Sequence, residues 1–446
     1  MKTINLTDIK SVVFVNKSTG ATKDVEVLKL GNIEIWQKHK ITVTFNGTAT
    51  GYDTITDAMT YVDTLSTTYD NPATIKLYGN IESTSSITIS SGYRRLDLNN
   101  YNLRLDGGIS QSGGTFYICD NSQKQEGVLD INYMTATGSS STFIIESGTI
   151  NNRADFEIQD GKFEMLDGYV TMPSTYSTIN NGIYVYSKNS TARLHISGGT
   201  ITSGYYAVHV STTSAIIENA NIINCGFDAI RVVGGSKATI KNCNISNNNG
   251  CAITGTSGDA ATITVSDTIM KNNASTKTEN CVIWSYGDTV NMTRCTLEDN
   301  ATRVFYIRNK AKVTLTDCTI KNNTGVGAHV SEGNLTLTNC ECTNNEGGGI
   351  YTSSSAANVT LDGNTNVINN YKNNVLNNIY VNSGTSVSVS ILKTFTGAVG
   401  FTLYEGTGRV AAFPETSYPI PTATYLSDDP QYSIETRSGY HYLYLV

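Results

Sequence analysis

Proline is almost missing from this chain, with 6 in 446 residues, and charge is thin, at 15% of residues against roughly 25% in ordinary globular proteins. Gly, Ser, Thr and Asn fill the gap, a mixture poor for helices and suited to short strands joined by polar turns. No apolar run reaches the roughly 18 residues that a membrane-spanning helix needs, so membrane insertion is not expected. Basic runs are absent too, and the net charge is −7, which argues against nucleic acid as a partner. The cysteines number nine, an odd count, and they form no CxxC pair and no Cys/His cluster. A disulfide scaffold or a zinc site is therefore not expected; buried free thiols from a reducing compartment are. The opening "MKTINLTDIKSVVFV" has no apolar core of the kind that marks a secretory signal, so export by that route is not expected. No cofactor and no metal site is indicated.

What the chain has is one phrase written many times. "VTLTDCTIKNN" (Val313–Asn323) is preceded by "ATIKNCNISNNN" from Ala238 and followed by "LTLTNCECTNN" from Leu335. Centred on Cys318, the frame places an apolar residue three before and another two after. It fits at Gly148, Gly168, Gly199, Ala220, Cys243, Thr268, Cys295, Cys318, Cys340 and Asn364, at steps of 20 to 31 residues. The residue three before runs from Ile145 through Leu315 to Leu361; the residue two after runs from Ile150 through Ile320 to Cys342 and Asn366. A period of this length, built of short strands, predicts a solenoid. Leucine-rich repeats share the length but need a repeated LxxLxL that is absent here. The fold expected is all-β, a right-handed parallel β-helix, in which each column stacks on the next coil about 4.8 Å away. The small central column then fits a bend and fills apolar volume. The Asn pairs 247/248, 272/273, 322/323, 344/345 and 369/370 read as turn ladders, because Asn tolerates the left-handed conformation and its amide can bond along a column.

A second strand lies between the phrases. Its inward column is Ile183, Val208, Ile230, Ile253, Ile283, Phe305, Ala328, Ile350 and Ile379. Strand alternation sends the next residue outward, giving Tyr184, His209, Arg231, Thr254, Trp284, Tyr306, His329, Tyr351 and Tyr380. The residue before the inward one, expected outside as well, is mostly small and includes Ala229, Val282 and Val304. A row of rings flanked by small residues suits three roles: contact with an extended glycan, stabilisation of the sheet, or contact between subunits. The small apolar neighbours favour a homotrimer axis or a glycan groove.

Residues 1–40 do not share the frame. "DVEVLKLGNIEIWQK" reads as a hairpin, with Val25, Val27 and Leu30 before a turn at Gly31–Asn32 and Ile33, Ile35 and Trp36 after it; a small β domain is expected here. Residues 41–390 form the β-helix, opened by an amphipathic helix near 54–67 with Ile55, Ala58, Met59, Val62 and Leu65 on one face, placed to cover the exposed first coil. Residues 391–446 are expected to be final coils or a β cap.

Coil spacing, apolar columns and Asn turns over residues 41–390 resemble the right-handed parallel β-helix superfamily of pectate lyases, phage tailspikes and surface adhesins. "VEVLKLGNIEIWQK" looks like the hairpin modules that open some bacteriophage structural and receptor-binding proteins, and "YLSDDPQYSIETRSGYHYLYLV" like the closing segment of adhesin-like β-helix proteins of gut bacteria and their phages. The resemblance implies a virion fibre or spike assembled in the host cytoplasm. It would be homotrimeric, attached to other virion proteins through its N-terminal domain, and would bind a host surface polysaccharide without cleaving it. The alternatives are a polysaccharide depolymerase and an architectural head or tail decoration. Enzymes of this superfamily resemble each other in using clustered carboxylates with an Arg or Lys, or paired carboxylates roughly 5–10 Å apart. Asp267, Arg294 and Asp317 lie one residue before successive centres and offer such a set; a surface charge ladder is the plainer reading. Glu298 and Asp299 form one adjacent pair, and Asp228 is the carboxylate nearest the ring column. No catalytic residue is assigned.

Overall fold

The computed structural model describes residues 39–154, 156–172, 182–187, 193–255, 259–274, 281–381, 389–403, 408–413, 423–436 and 442–446, and before these the backbone of four short strands. Two of those four, Val27–Leu30 and Ile33–Gln37, pair antiparallel. Val25, Gly31 and Asn32 lie outside the described residues. The chain divides into two compact units, residues 1–155 with 161–170, and residues 156–160 with 171–446.

In the first unit an antiparallel hairpin, Ile41–Phe45 with Thr48–Tyr52, joins the coils through Ala73–Leu77. The helix is shorter than its periodicity suggests, Ile55–Val62, and buries Ile55, Ala58, Met59 and Val62. Thr54 caps it: its Oγ1 accepts the Asp57 N–H at 3.1 Å, satisfying an amide that has no partner inside the helix. The helix lies against both hairpin strands, so one element shields the antiparallel pair that closes the first coil. Parallel strands then follow in register, Ala73–Leu77, Tyr93–Asp97, Thr115–Cys119, Thr142–Ile145 and Lys162–Met165. Phe116, Phe143 and Phe163 stack up the interior with centroids 5.9 Å apart.

In the second unit each coil from Arg193 to Val381 carries three strands. The coil of the repeated phrase has Lys312–Thr316, Thr319–Lys321 and Ala328–Val330, each parallel and in register with its counterparts before and after. Val313, Leu315, Ile320, Ala328 and Val330 point inward and are at most 1% exposed. Two left-handed residues turn each coil. The first occupies Asn242, Asp267, Arg294, Asp317 and Asn339, with φ between 51° and 54°. The second occupies Asn247, Asn272, Asp299, Asn322, Asn344 and Asn369, with φ between 54° and 58°. Short polar side chains tolerate this region best.

The two members of each Asn pair therefore do different work. The first makes the bend. The second is wholly buried and forms a ladder: the Nδ2 of Asn248, Asn273, Asn300, Asn323 and Asn345 each donates to the Oδ1 of the next, at 2.8 to 3.3 Å. It continues through Asn370 and Asn378 and ends on the Asp428 carboxylate at 2.6 Å. Each Oδ1 also accepts a backbone N–H of the preceding coil, as Asn323 does from Asn300 at 2.9 Å.

The phrase slips once. Asn364 is not the last centre: Thr365 is, because its Oγ1 accepts the Cys340 N–H at 3.2 Å. Val367 is the buried residue two beyond it, in place of Asn366. Gly363, at φ 55°, accommodates the extra residue.

All nine cysteines are free and buried. Their central column needs more than apolar volume. Cys318 Sγ accepts the Cys295 N–H at 3.4 Å and donates to Thr316 O at 3.3 Å. Thr268 does the same for Cys243 N–H and Ser266 O, at 3.3 and 2.8 Å. A γ heteroatom that bridges two coils explains why both Cys and Thr occupy this column. Cys318→Thr is expected to keep most of the stability, and Cys318→Ala to lose about 1–2 kcal/mol by stranding a buried N–H; urea unfolding of the two variants decides it.

Candidate functional site

The outward column is a true register column. Tyr184, His209, Arg231, Thr254, Trp284, Tyr306, His329, Tyr351 and Tyr380 are each paired across to the next by parallel backbone ladders. From Trp284 onward the rings run uninterrupted, with successive centroids 6.1, 5.0, 4.8 and 5.4 Å apart. All but His209 and Thr254 are half-buried.

Two expectations need correction. Ala229, Val282 and Val304 are not on the outside; each is 0% exposed, although Val282 and Val304 lie one residue inside the strands Cys281–Tyr286 and Arg303–Arg308, so the in-out alternation does not yet hold there. They offer no surface for a trimer axis. His209 is also covered, at 8% exposed. Its ring stacks on Tyr184 at 4.5 Å and meets Tyr206 at 5.7 Å, so it has no open path to a sugar hydroxyl. Burial, with the Arg231 charge beside it, lowers its pKa to about 3, leaving it neutral.

Thr254 interrupts the rings, and its size matters. Its hydroxyl turns inward to Asp228 Oδ2 at 2.8 Å, while Asp228 Oδ1 accepts the Cys251 N–H at 2.8 Å. Burial raises the Asp228 pKa, and both oxygens are engaged in holding the turn. The space left above Thr254 is a cavity of about 140 Å³ between Arg231 and Trp284, walled by Tyr206 and Phe227. Arg231 donates to the Tyr206 hydroxyl at 2.7 Å, and Tyr205 stacks flat on Phe227 at 4.8 Å.

A larger cleft of about 490 Å³ opens beside His329, Tyr351 and Tyr380, lined also by Arg303, Lys372 and Asn377. Lys372 comes from a short antiparallel hairpin, Tyr371–Lys372 with Val375–Leu376. Arg303 donates to His329 Nδ1 at 3.2 Å. A guanidinium only donates, so Nδ1 is the acceptor and Nε2 carries the proton toward Ser353 Oγ at 2.8 Å. Burial, then Arg303 and Arg308, lower the His329 pKa to about 4, which keeps this tautomer neutral. The guanidiniums of Arg303 and Arg308 sit 4.4 and 5.4 Å from the Tyr306 centroid.

Sequence reasoning found the column but missed its walls. Tyr205 and Phe227 each stand three residues before an inward residue, and Arg303 two before Phe305. Extending the frame backwards would have exposed them; nothing in the frame points to the Lys372 hairpin.

The acid–base candidates lie elsewhere. Arg294 holds Asp267 in a bidentate pair at 2.6 and 2.9 Å on the first bend, and keeps its carboxyl below the usual range, the wrong direction for a general acid. Glu298 and Asp299 pair with Lys271 at 3.3 and 2.9 Å, and Glu298 with Lys321 at 3.5 Å. These are surface ladders of low energetic weight. Among the described residues no cluster of three His, Cys, Asp or Glu side chains could hold a metal, and no helix is long and apolar enough to cross a membrane.

Residues 181–366 match the family model described as a right handed beta helix region. No curated protein matches the chain. Among solved structures, the periplasmic alginate epimerase AlgG is similar at 11% identity and a TM-score of 0.43, over 87% of this chain and 92% of that one. A mutant of the same epimerase is similar at 12% identity and a TM-score of 0.42, over 75% of this chain and 85% of that one. The repeat, the parallel register and the family match together make the chain a right-handed parallel β-helix protein.

Proposed function

We propose that the protein binds an extended surface polysaccharide along the column from Arg231 to Tyr380, without cleaving it. The observation that carries this reading is the register itself. Six coil steps of about 4.8 Å place half-buried rings and an arginine along about 29 Å of one face, with a cavity at one end and a cleft at the other. Sugar rings present C–H faces that lie on aromatic faces, and Tyr hydroxyls and guanidiniums bond to sugar hydroxyls. The cleft lining includes cations, rings and amides; among its described residues there is no carboxylate pair of the kind that glycoside hydrolysis uses.

Placement on a bacteriophage particle, as a homotrimeric receptor-binding fibre or spike joined to it through residues 1–40, is the finer form of the proposal. It rests on the sequence likeness of the two ends. Light scattering on the intact protein tests the trimer.

The column is tested by Trp284→Ala combined with Tyr306→Ala. Binding to a panel of bacterial surface polysaccharides is expected to fall about tenfold or more, from the loss of two ring contacts worth about 0.5–1.5 kcal/mol each. Unfolding should shift only slightly, by the loss of cross-strand contacts of about 0.2–1 kcal/mol per pair. A folded double variant that binds as well as the parent would remove the column from the site and leave it a sheet-stabilising ladder.

A further inference from the structure

Among the described residues, several cations of the ring face meet no carboxylate, while five arginines elsewhere do. Arg94, Arg95, Arg104, Arg153 and Arg294 each meet a carboxylate within 3.0 Å. Among the described residues no carboxylate lies in ion-pair contact with Arg231, Arg303, Arg308 or Lys372. This happens in a chain of net charge −7, so the cluster is not a by-product of overall composition. Arg303 is held in place: His329, kept neutral, accepts one of its N–H groups, and the Tyr306 face supports the guanidinium plane. Lys372 reaches the same cleft from the hairpin.

We infer that the cleft selects an acidic glycan, with a sugar carboxylate seated between Arg303 and Lys372 and the ring of that sugar against Tyr351 or Tyr380. This deepens the glycan-binding reading and rests on it. A guanidinium offers paired N–H donors that match the two oxygens of a carboxylate, and a charge-assisted bond of this type is about twice as strong as a neutral one. The row of rings favours a saccharide over an acidic peptide. Bases can stack on such rings too, so nucleic acid is an outcome the experiment must separate.

The probes are polygalacturonate, hyaluronan and polysialic acid, each beside its carboxyl-reduced form, with neutral glucans, dextran sulfate and a single-stranded oligonucleotide. Titration calorimetry is run on the parent, Arg303→Gln, Lys372→Gln and the double variant, with thermal unfolding as the check on folding. At least one carboxylate polymer should bind, its reduced form about tenfold or more weaker, and Lys372→Gln alone should reproduce part of that loss on the exposed hairpin, where folding is not at stake. Salt should weaken the parent's binding and have less effect on the double variant. If reduced or neutral polymers bind as tightly and the Gln variants are unchanged, charge selection is wrong while glycan binding stands. If no polysaccharide binds the parent, both fall. Equal affinity for dextran sulfate would make the cluster a general polyanion patch, and tighter binding of the oligonucleotide would overturn the glycan reading.

Discussion

Leu315→Asp leaves no folded chain. Leu315 is 0% exposed and stands in register between Met292 and Leu337, which are themselves buried. A carboxylate here has no donor on either side, so it must be buried uncompensated or protonated, and either is severely unfavourable. The strand cannot turn the side chain outward without reversing its neighbours, since alternation has a period of two. Leu315→Ala, which removes volume without adding charge, should fold with a loss of about 2–5 kcal/mol. Limited proteolysis and gel filtration distinguish the two: the Ala variant resists cleavage, and the Asp variant is digested or aggregated. A soluble, protease-resistant Asp variant would contradict the inward assignment of the column.

Asn323→Ala is expected to be nearly as damaging, and its neighbour harmless. Asn323 Nδ2 donates to Asn345 Oδ1 at 2.8 Å and to Leu297 O at 3.1 Å, and its Oδ1 receives both the backbone N–H and the Nδ2 of Asn300 at 2.9 Å. Truncation strands two buried donors and frees three acceptors, Lys321 O at 3.0 Å being the third. At about 1–3 kcal/mol for each stranded group, the loss should reach about 4 kcal/mol or more. Asn322 is exposed and supplies only a left-handed bend at φ 57°, so Asn322→Gly should be close to neutral. Chemical unfolding of both variants checks the contrast. Equal effects would mean that the pair acts as one turn and that the buried ladder contributes little.

The sequence by itself determined the coil. Inward residues such as Ile240, Val265, Met292 and Leu315 must repeat because each coil buries its side chains on the one before, and this constraint is written in spacing. The ring column was legible for the same reason, since alternation follows from backbone geometry alone. Division of labour within the Asn pairs was not: Asn322 and Asn323 are the same residue type, and only the path of the bend sends one amide out and the other in. Nor was the burial of Ala229, Val282 and Val304, because in the first residues of a strand the surrounding packing, not alternation, decides which side is covered. The slip at Gly363 is equally local, one residue absorbed by a left-handed glycine. The cavity above Thr254 and the pairing of Arg303 with Lys372 belong wholly to the tertiary structure. They join residues from different coils, one of them on an inserted hairpin, and no repeat constrains where such residues meet.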